Sequence, residues 1–462
     1  MLGLSRPRRF AFRRFRAGDR ATGGEVNARI RGRRVPLEAT RPMSADLYPA
    51  RTLESAYGAL ELRLNLPGTF KDLYVERPAR CVTDLATALA IADPGAPVKR
   101  VFAGHGGSGK TTELFRLLNL PAVKRGFKPV YYSIMADYGI PDVQLIDLLV
   151  TMALETAKQV TLKVAEEKLV RDWLMSLGSE VERTSVRQLA IGISKLLKIE
   201  VGWRQELRQK VGPRVQEVVA VIDALALKVV QATKKRLLVV VDDLEKADLT
   251  AALNVFCENP SQLAAPNCDT IFTVPLSLVH SEHCVRVANQ FGHPLVLPVI
   301  AVRHPDGRPN EAGVKFLLDV LHRRAAPALF EEGVARYLVG NSGGVVFDLL
   351  DTARQAVLRA LASRRTTVAQ DVAQEVVRDL SRSYWRRLDS KHFETLIRVA
   401  TKHYLDPREE DLPLLHTLAV LEYEDDPTWH DVHPAVKRVL ENRGMIVQDE
   451  HGQWRDAREV EP

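Results

Sequence analysis

No run of apolar residues in this 462-residue chain is long enough to cross a bilayer as a helix, so a soluble, cytoplasmic protein with no membrane partner is expected. Cysteine is scarce. The four present (Cys81, Cys257, Cys268, Cys284) lie far apart, which excludes a metal site of paired cysteines and suits a reducing compartment. Internal repeats are missing, and so is low-complexity sequence beyond the first 43 residues. That segment contains no lysine; twelve arginines against three acids give it a net charge of +9, leaving −2 for the rest of a chain whose total is +7. It reads either as an arm for nucleic acid or an acidic membrane, or as a cleaved or mis-assigned extension, with Met43 in "RPMSADLY" the true start. The all-arginine set favours the second reading, because a binding arm commonly mixes in lysine. The basic balance therefore does not make this a DNA-binding protein. The remaining composition, 46% hydrophobic and 27% charged, is that of a globular chain of two to four domains.

What is present is a series of short apolar runs separated by helical patterns. "VKRVFAG" (98–104), "KPVYYSIMAD" (128–137), "RLLVVVDDLEKAD" (236–248), "DTIFTVPLSL" (269–278) and "PLVLPVIAV" (294–302) read as strands buried on both faces. Strands of that kind alternating with helices predict an α/β fold around a parallel sheet. A helical insertion over 142–235, broken near Gly178, Gly202 and residues 211–214, packs on the core or on a partner; the first is the commoner outcome. The expected organisation is a basic tail (1–43), an N-terminal extension (44–80), a core (81–302) containing the insertion, a helical lid (303–385) and a winged-helix-like domain (386–462).

One stretch carries specific chemistry. Gly104-His105-Gly106-Gly107-Ser108-Gly109-Lys110-Thr111 matches G-x-x-x-x-G-K-[ST], with Thr112 next, between a strand and a helix. Glycines let backbone amides approach phosphate, and the helix N-terminus faces the same anion. Lys110 would neutralise the β- and γ-phosphates, and the Thr111 hydroxyl would hold Mg²⁺. His105 stands where the pattern accepts any residue and receives no catalytic role. Such a loop needs a carboxylate at the end of a neighbouring strand. "LLVVVDDLE" supplies Asp242 as the metal's acid, with Asp243 or the longer Glu245 to polarise the attacking water. No Asn-Lys-x-Asp motif follows, so ATP is preferred to GTP, and no second acceptor-binding pattern suggests a kinase.

The two motifs, the helical spacing between them and the strand "TIFTVP" resemble the AAA+ and STAND-like P-loop ATPases, bacterial members of the origin-recognition type especially, over about residues 81–385. The resemblance implies a helical lid followed by a winged helix, and it casts Thr273 as the polar sensor of the γ-phosphate; by residue chemistry alone Thr273 is equally a structural strand end. The glycine turn in "VGNSGGVVFDLLDTARQAV" (339–357) departs from the family, since its first arginine is Arg354. Arg286 would act in trans if rings form, but also fits a solvated helix face. The function implied is hydrolysis of ATP with Mg²⁺ as a conformational switch governing a partner protein or an assembly, with nucleotide-dependent self-association open. The alternatives are a nucleotide-dependent DNA-binding regulator and a non-hydrolysing scaffold. Two other segments carry less. "HSEHCVRVANQFGH" (280–293) hints at zinc but lacks a common ligand spacing, so a polar loop is expected. "LEYEDDPTWHDVHP" (421–434) fits a wing without cofactor chemistry, its acids repelling phosphate.

Overall fold

The computed structural model describes residues 48–62, 66–77, 80–93, 95–159, 168–177, 185–247, 249–406, 408–450 and 452–459. The arginine-rich tail and the expected break at Gly178 lie outside the described residues.

Strands β1 (Lys99–Ala103), β2 (Phe127–Ser133), β3 (Arg236–Asp242), β4 (Asp269–Val274) and β5 (Leu295–Val296) form one parallel sheet in the order β2-β3-β4-β1-β5. Side chains alternate between its two faces. Val239 and Val241 point to the helical insertion and Phe272, on the same face, packs on Phe256 and Phe291, whereas Leu238, Val240 and Ile271 meet the helices Cys81–Ile91 and Lys110–Asn119. Both faces are thus covered, which explains why β3 and β4 read as continuous apolar runs.

The insertion packs on the core, as the commoner reading had it. Its helix Leu145–Gln159 is buried nearly throughout. Asp147 within it is fully buried and accepts from Arg208 Nη2 at 2.6 Å, which ties this helix to Val201–Val211.

The strands are shorter than the apolar runs that predicted them, β3 ending at Asp242, and for three of them a local reason is visible. β2 gives way at Ile134–Tyr138 to a single π-helical turn closed by Gly139. β4 ends before Pro275. β5 pairs over two residues, because Pro298 has no N–H to donate to a ladder.

The lid helices include Glu311–His322, Val334–Asn341, Val346–Ala362 and Gln370–Trp385. Their core also contains Leu53, Ala56 and Leu60, so part of the N-terminal extension folds into the lid. A C-terminal module comes after the lid helices. Helices Phe393–Lys402 and Leu412–His416 precede a hairpin of β6 (Val420–Tyr423) and β7 (Trp429–Val432). Helix Pro434–Asn442 and a second hairpin, β8 (Ile446–Gln448) with β9 (Trp454–Asp456), complete it.

Candidate phosphate-binding site

The glycine loop, Asp242 and Thr273 all emerge from the C-terminal edge of the sheet, the edge at which parallel α/β sheets bind ligands. The expectation of adjacent strands needs correction: β4 lies between β1 and β3, so the loop and the acids face each other across it. Thr273 on that middle strand is fully buried, and its Oγ1 accepts from the Leu244 amide at 3.1 Å. It therefore fixes the turn that carries the acids.

Backbone geometry explains the glycines at two positions. Gly104 has φ 149°, and a Cβ there would sit 2.8 Å from the Leu297 carbonyl oxygen. Gly107 has φ 75°, and a Cβ would lie 2.5 Å from Phe347 Cβ. The helix Lys110–Asn119 begins at Gly109 with no side-chain cap, so its first amides are left for an anion. Lys110 is buried. Its Nζ donates to the carbonyls of Gly104 (2.9 Å) and His105 (2.8 Å) and lies 3.2 Å from Glu245 Oε1. Gly106 and Thr112 are half-buried beside this cluster.

Asp242, Asp243 and Glu245 converge, with one carboxylate oxygen from each within 4.8 Å of the others. Asp242 is fully buried and accepts from Tyr131 Oη at 2.8 Å. Burial, then the charges of Glu245 and Asp243, push its carboxyl up to about 6. Asp243 takes a left-handed conformation (φ 66°), accepts from Ser133 Oγ and pairs with Lys246. Of the two candidates for polarising water, Asp243 is thus engaged toward β2, while Glu245 faces the loop through Lys110.

No protein-family model matches the chain, and no curated protein does. Among solved structures it is similar to the Aeropyrum pernix ORC1 protein in complex with DNA, at 14% identity over 84% of this chain and 96% of that one, with a TM-score of 0.40. It is similar also to Cdc6p from Pyrobaculum aerophilum (12% identity, 84% and 98% covered, TM-score 0.42). A third is the Thermotoga maritima RuvB Holliday junction branch migration motor (13%, 80% and 89%, TM-score 0.33).

Three contacts to the loop were not legible in the sequence. Arg77, buried ahead of the core, donates from Nη1 to the Ser108 carbonyl at 2.7 Å and from Nη2 to the Pro298 carbonyl. Phe347 of the lid donates its amide to the Gly107 carbonyl at 3.1 Å. His105 reaches the C-terminal module: Nδ1 donates to the Leu415 carbonyl (3.1 Å) and Nε2 accepts from the Glu422 amide (2.9 Å). Burial drives its imidazole down to about 3, consistent with the neutral tautomer this pattern needs. A motif that leaves the position open gives no signal of such a role.

The two arginines singled out in the sequence lie elsewhere. Arg354 stacks on Tyr57, 4.1 Å from the ring centroid, and pairs with Glu61 at 2.8 Å, so it joins the lid to the N-terminal helix. Arg286 is exposed on helix Cys284–Phe291.

The residues present fit a nucleotide phosphate with Mg²⁺. Ser108 Oγ and Glu245 Oε2 are buried without a hydrogen-bond partner, the helix amides are uncapped, and the carboxylates of Asp242, Asp243 and Glu245 converge beside the loop.

Proposed function

We propose that the protein binds ATP with Mg²⁺ at residues 104–112 and hydrolyses it, and that the γ-phosphate sets the position of the lid and C-terminal module. The observation that carries this reading is the pairing of the loop's Lys110 with Glu245, beside the buried Asp242 that ends β3. On binding, Lys110 exchanges the Gly104 and His105 carbonyls for phosphate oxygens, and the free helix amides accept the remaining charge. Thr111 and Asp242 would hold Mg²⁺, which would supply charge neutralisation for the phosphates.

Release from Lys110 leaves Glu245 free to orient water and take its proton. As the new oxygen–phosphorus bond forms, the bond to the β-phosphate oxygen breaks and ADP leaves with that electron pair. Asp243 stays on Ser133 and Lys246 and shapes the turn, and Thr273 supports that turn next to the γ-phosphate. The loop's bonds to Phe347 and, through His105, to the C-terminal module then give nucleotide state a route to two other parts of the molecule.

The hairpin tip between β6 and β7 exposes Glu424, Asp425 and Asp426, which would repel nucleic-acid phosphate and weigh against that tip as a DNA reader. Steady-state hydrolysis of ATP and GTP, with the mass in solution measured with and without nucleotide, tests the reading. Magnesium-dependent ATP turnover is expected. Tight binding without turnover would leave a scaffold, and no binding would refute the site.

A further inference from the structure

His280, Glu422 and His430 come together from two parts of the fold that the sequence keeps apart. His280 ends the short helix Leu276–Val279 that follows β4, on the ATPase core. Glu422 and His430 face each other across the β6–β7 ladder of the C-terminal module, as a cross-strand pair. His280 Nε2 contacts Glu422 Oε2, and His430 Nε2 lies 3.3 Å from the same oxygen. One ligand atom from each residue falls within 4.8 Å of the other two, with the imidazoles edge to face.

His430 is 7% exposed, and neither of its ring nitrogens has a hydrogen-bond partner. A buried imidazole left in that state is costly, and one aimed at a carboxylate shared with a second imidazole points to a cation between them.

We propose that these three side chains bind one zinc-class transition-metal ion that clamps the β6–β7 hairpin to the ATPase core. Two imidazoles and a carboxylate are the donors such an ion prefers, whereas Mg²⁺ and Ca²⁺ select oxygen. Three protein ligands leave a fourth position for water, on the side where the His280 side chain is 24% exposed. The ion would not compete with Mg²⁺ at the phosphate loop, and its binding is independent of the nucleotide reading. It would still be felt there, because the Glu422 amide is the donor to His105.

Neither half of the site is complete in sequence. His283, Cys284 and His293 lie close to His280 along the chain but are not part of the cluster found among the described residues.

The full-length protein, stripped with chelator and dialysed against Zn²⁺ in excess Mg²⁺, is expected to retain one zinc per chain by elemental analysis. With Co²⁺ instead, it should show the visible absorption of a tetrahedral site. His280→Ala, Glu422→Gln and His430→Ala should each weaken zinc binding by more than the ten- to hundred-fold that loss of an outer-shell partner costs, and His293→Ala should not. Zinc should raise the melting temperature of wild type and leave that of the His280 variant unmoved. His280 is partly exposed, so its variant serves even if the buried His430 variant fails to fold. Absence of stoichiometric zinc in the wild type, or zinc retained in the His280 and Glu422 variants, would overturn the site.

Discussion

Lys110 and Glu245 form a buried ion pair, and breaking such a pair by removing one partner costs about 3–5 kcal/mol, because the other charge is left uncompensated. Lys110→Ala should therefore lower unfolding free energy by roughly that amount and also abolish ATP binding. Lys110→Met with Glu245→Gln should recover most of the stability and none of the binding; denaturant melts and calorimetric titration with ATP separate the two effects. At the chemical step, Glu245→Gln should slow single-turnover hydrolysis by about 10²-fold or more, the contribution of a positioned base. Asp243→Asn should cost less than Glu245→Gln, since that carboxylate is held by Ser133 and Lys246. Equal rates in wild type and the Glu245 variant would remove Glu245 from the reaction.

Among the elements, the lid helix Val346–Ala362 starts directly on the phosphate loop. Gly107 allows this, since any Cβ there would overlap Phe347. Gly107→Ala should destabilise the protein by about 1–3 kcal/mol through overpacking and its positive φ, and Phe347→Ala in the same chain should recover little, because alanine keeps the Cβ that the new methyl meets. The measurement is a thermal or denaturant double-mutant cycle. Strand and helix identities along the core were readable from period and composition, as in the Val239–Val241 run of β3. Boundaries were not: Pro275 and Pro298 ended strands that apolar composition alone would have extended.

At the scale of the whole molecule, one loop is in contact with three regions: Arg77 ahead of the core, Phe347 from the lid and His105 to the C-terminal module. His105→Ala leaves the Glu422 amide and Leu415 carbonyl without their partner. It should loosen the module's hold on the core, read as faster amide hydrogen exchange over residues 415–432 with little change in β1–β4. ATP affinity should change by a modest factor, because His105 meets Lys110 only through its backbone carbonyl, which accepts from Nζ. Unchanged exchange would mean that the hairpin is held by its other contacts.

The sequence by itself determined the glycine loop between β1 and its helix, the acids at and beyond the end of β3 and the parallel sheet that presents them. Those depend on local spacing and on runs of residues buried on both faces, and both are written along the chain. Only the tertiary structure decided that β4 separates the two motifs, that Glu245 rather than Asp243 faces Lys110, that Arg354 serves the N-terminal helix, and that His280 meets Glu422 and His430. Each of these depends on which distant segments pack together, and no local period encodes such a pairing, because its energy appears only once the intervening chain has folded.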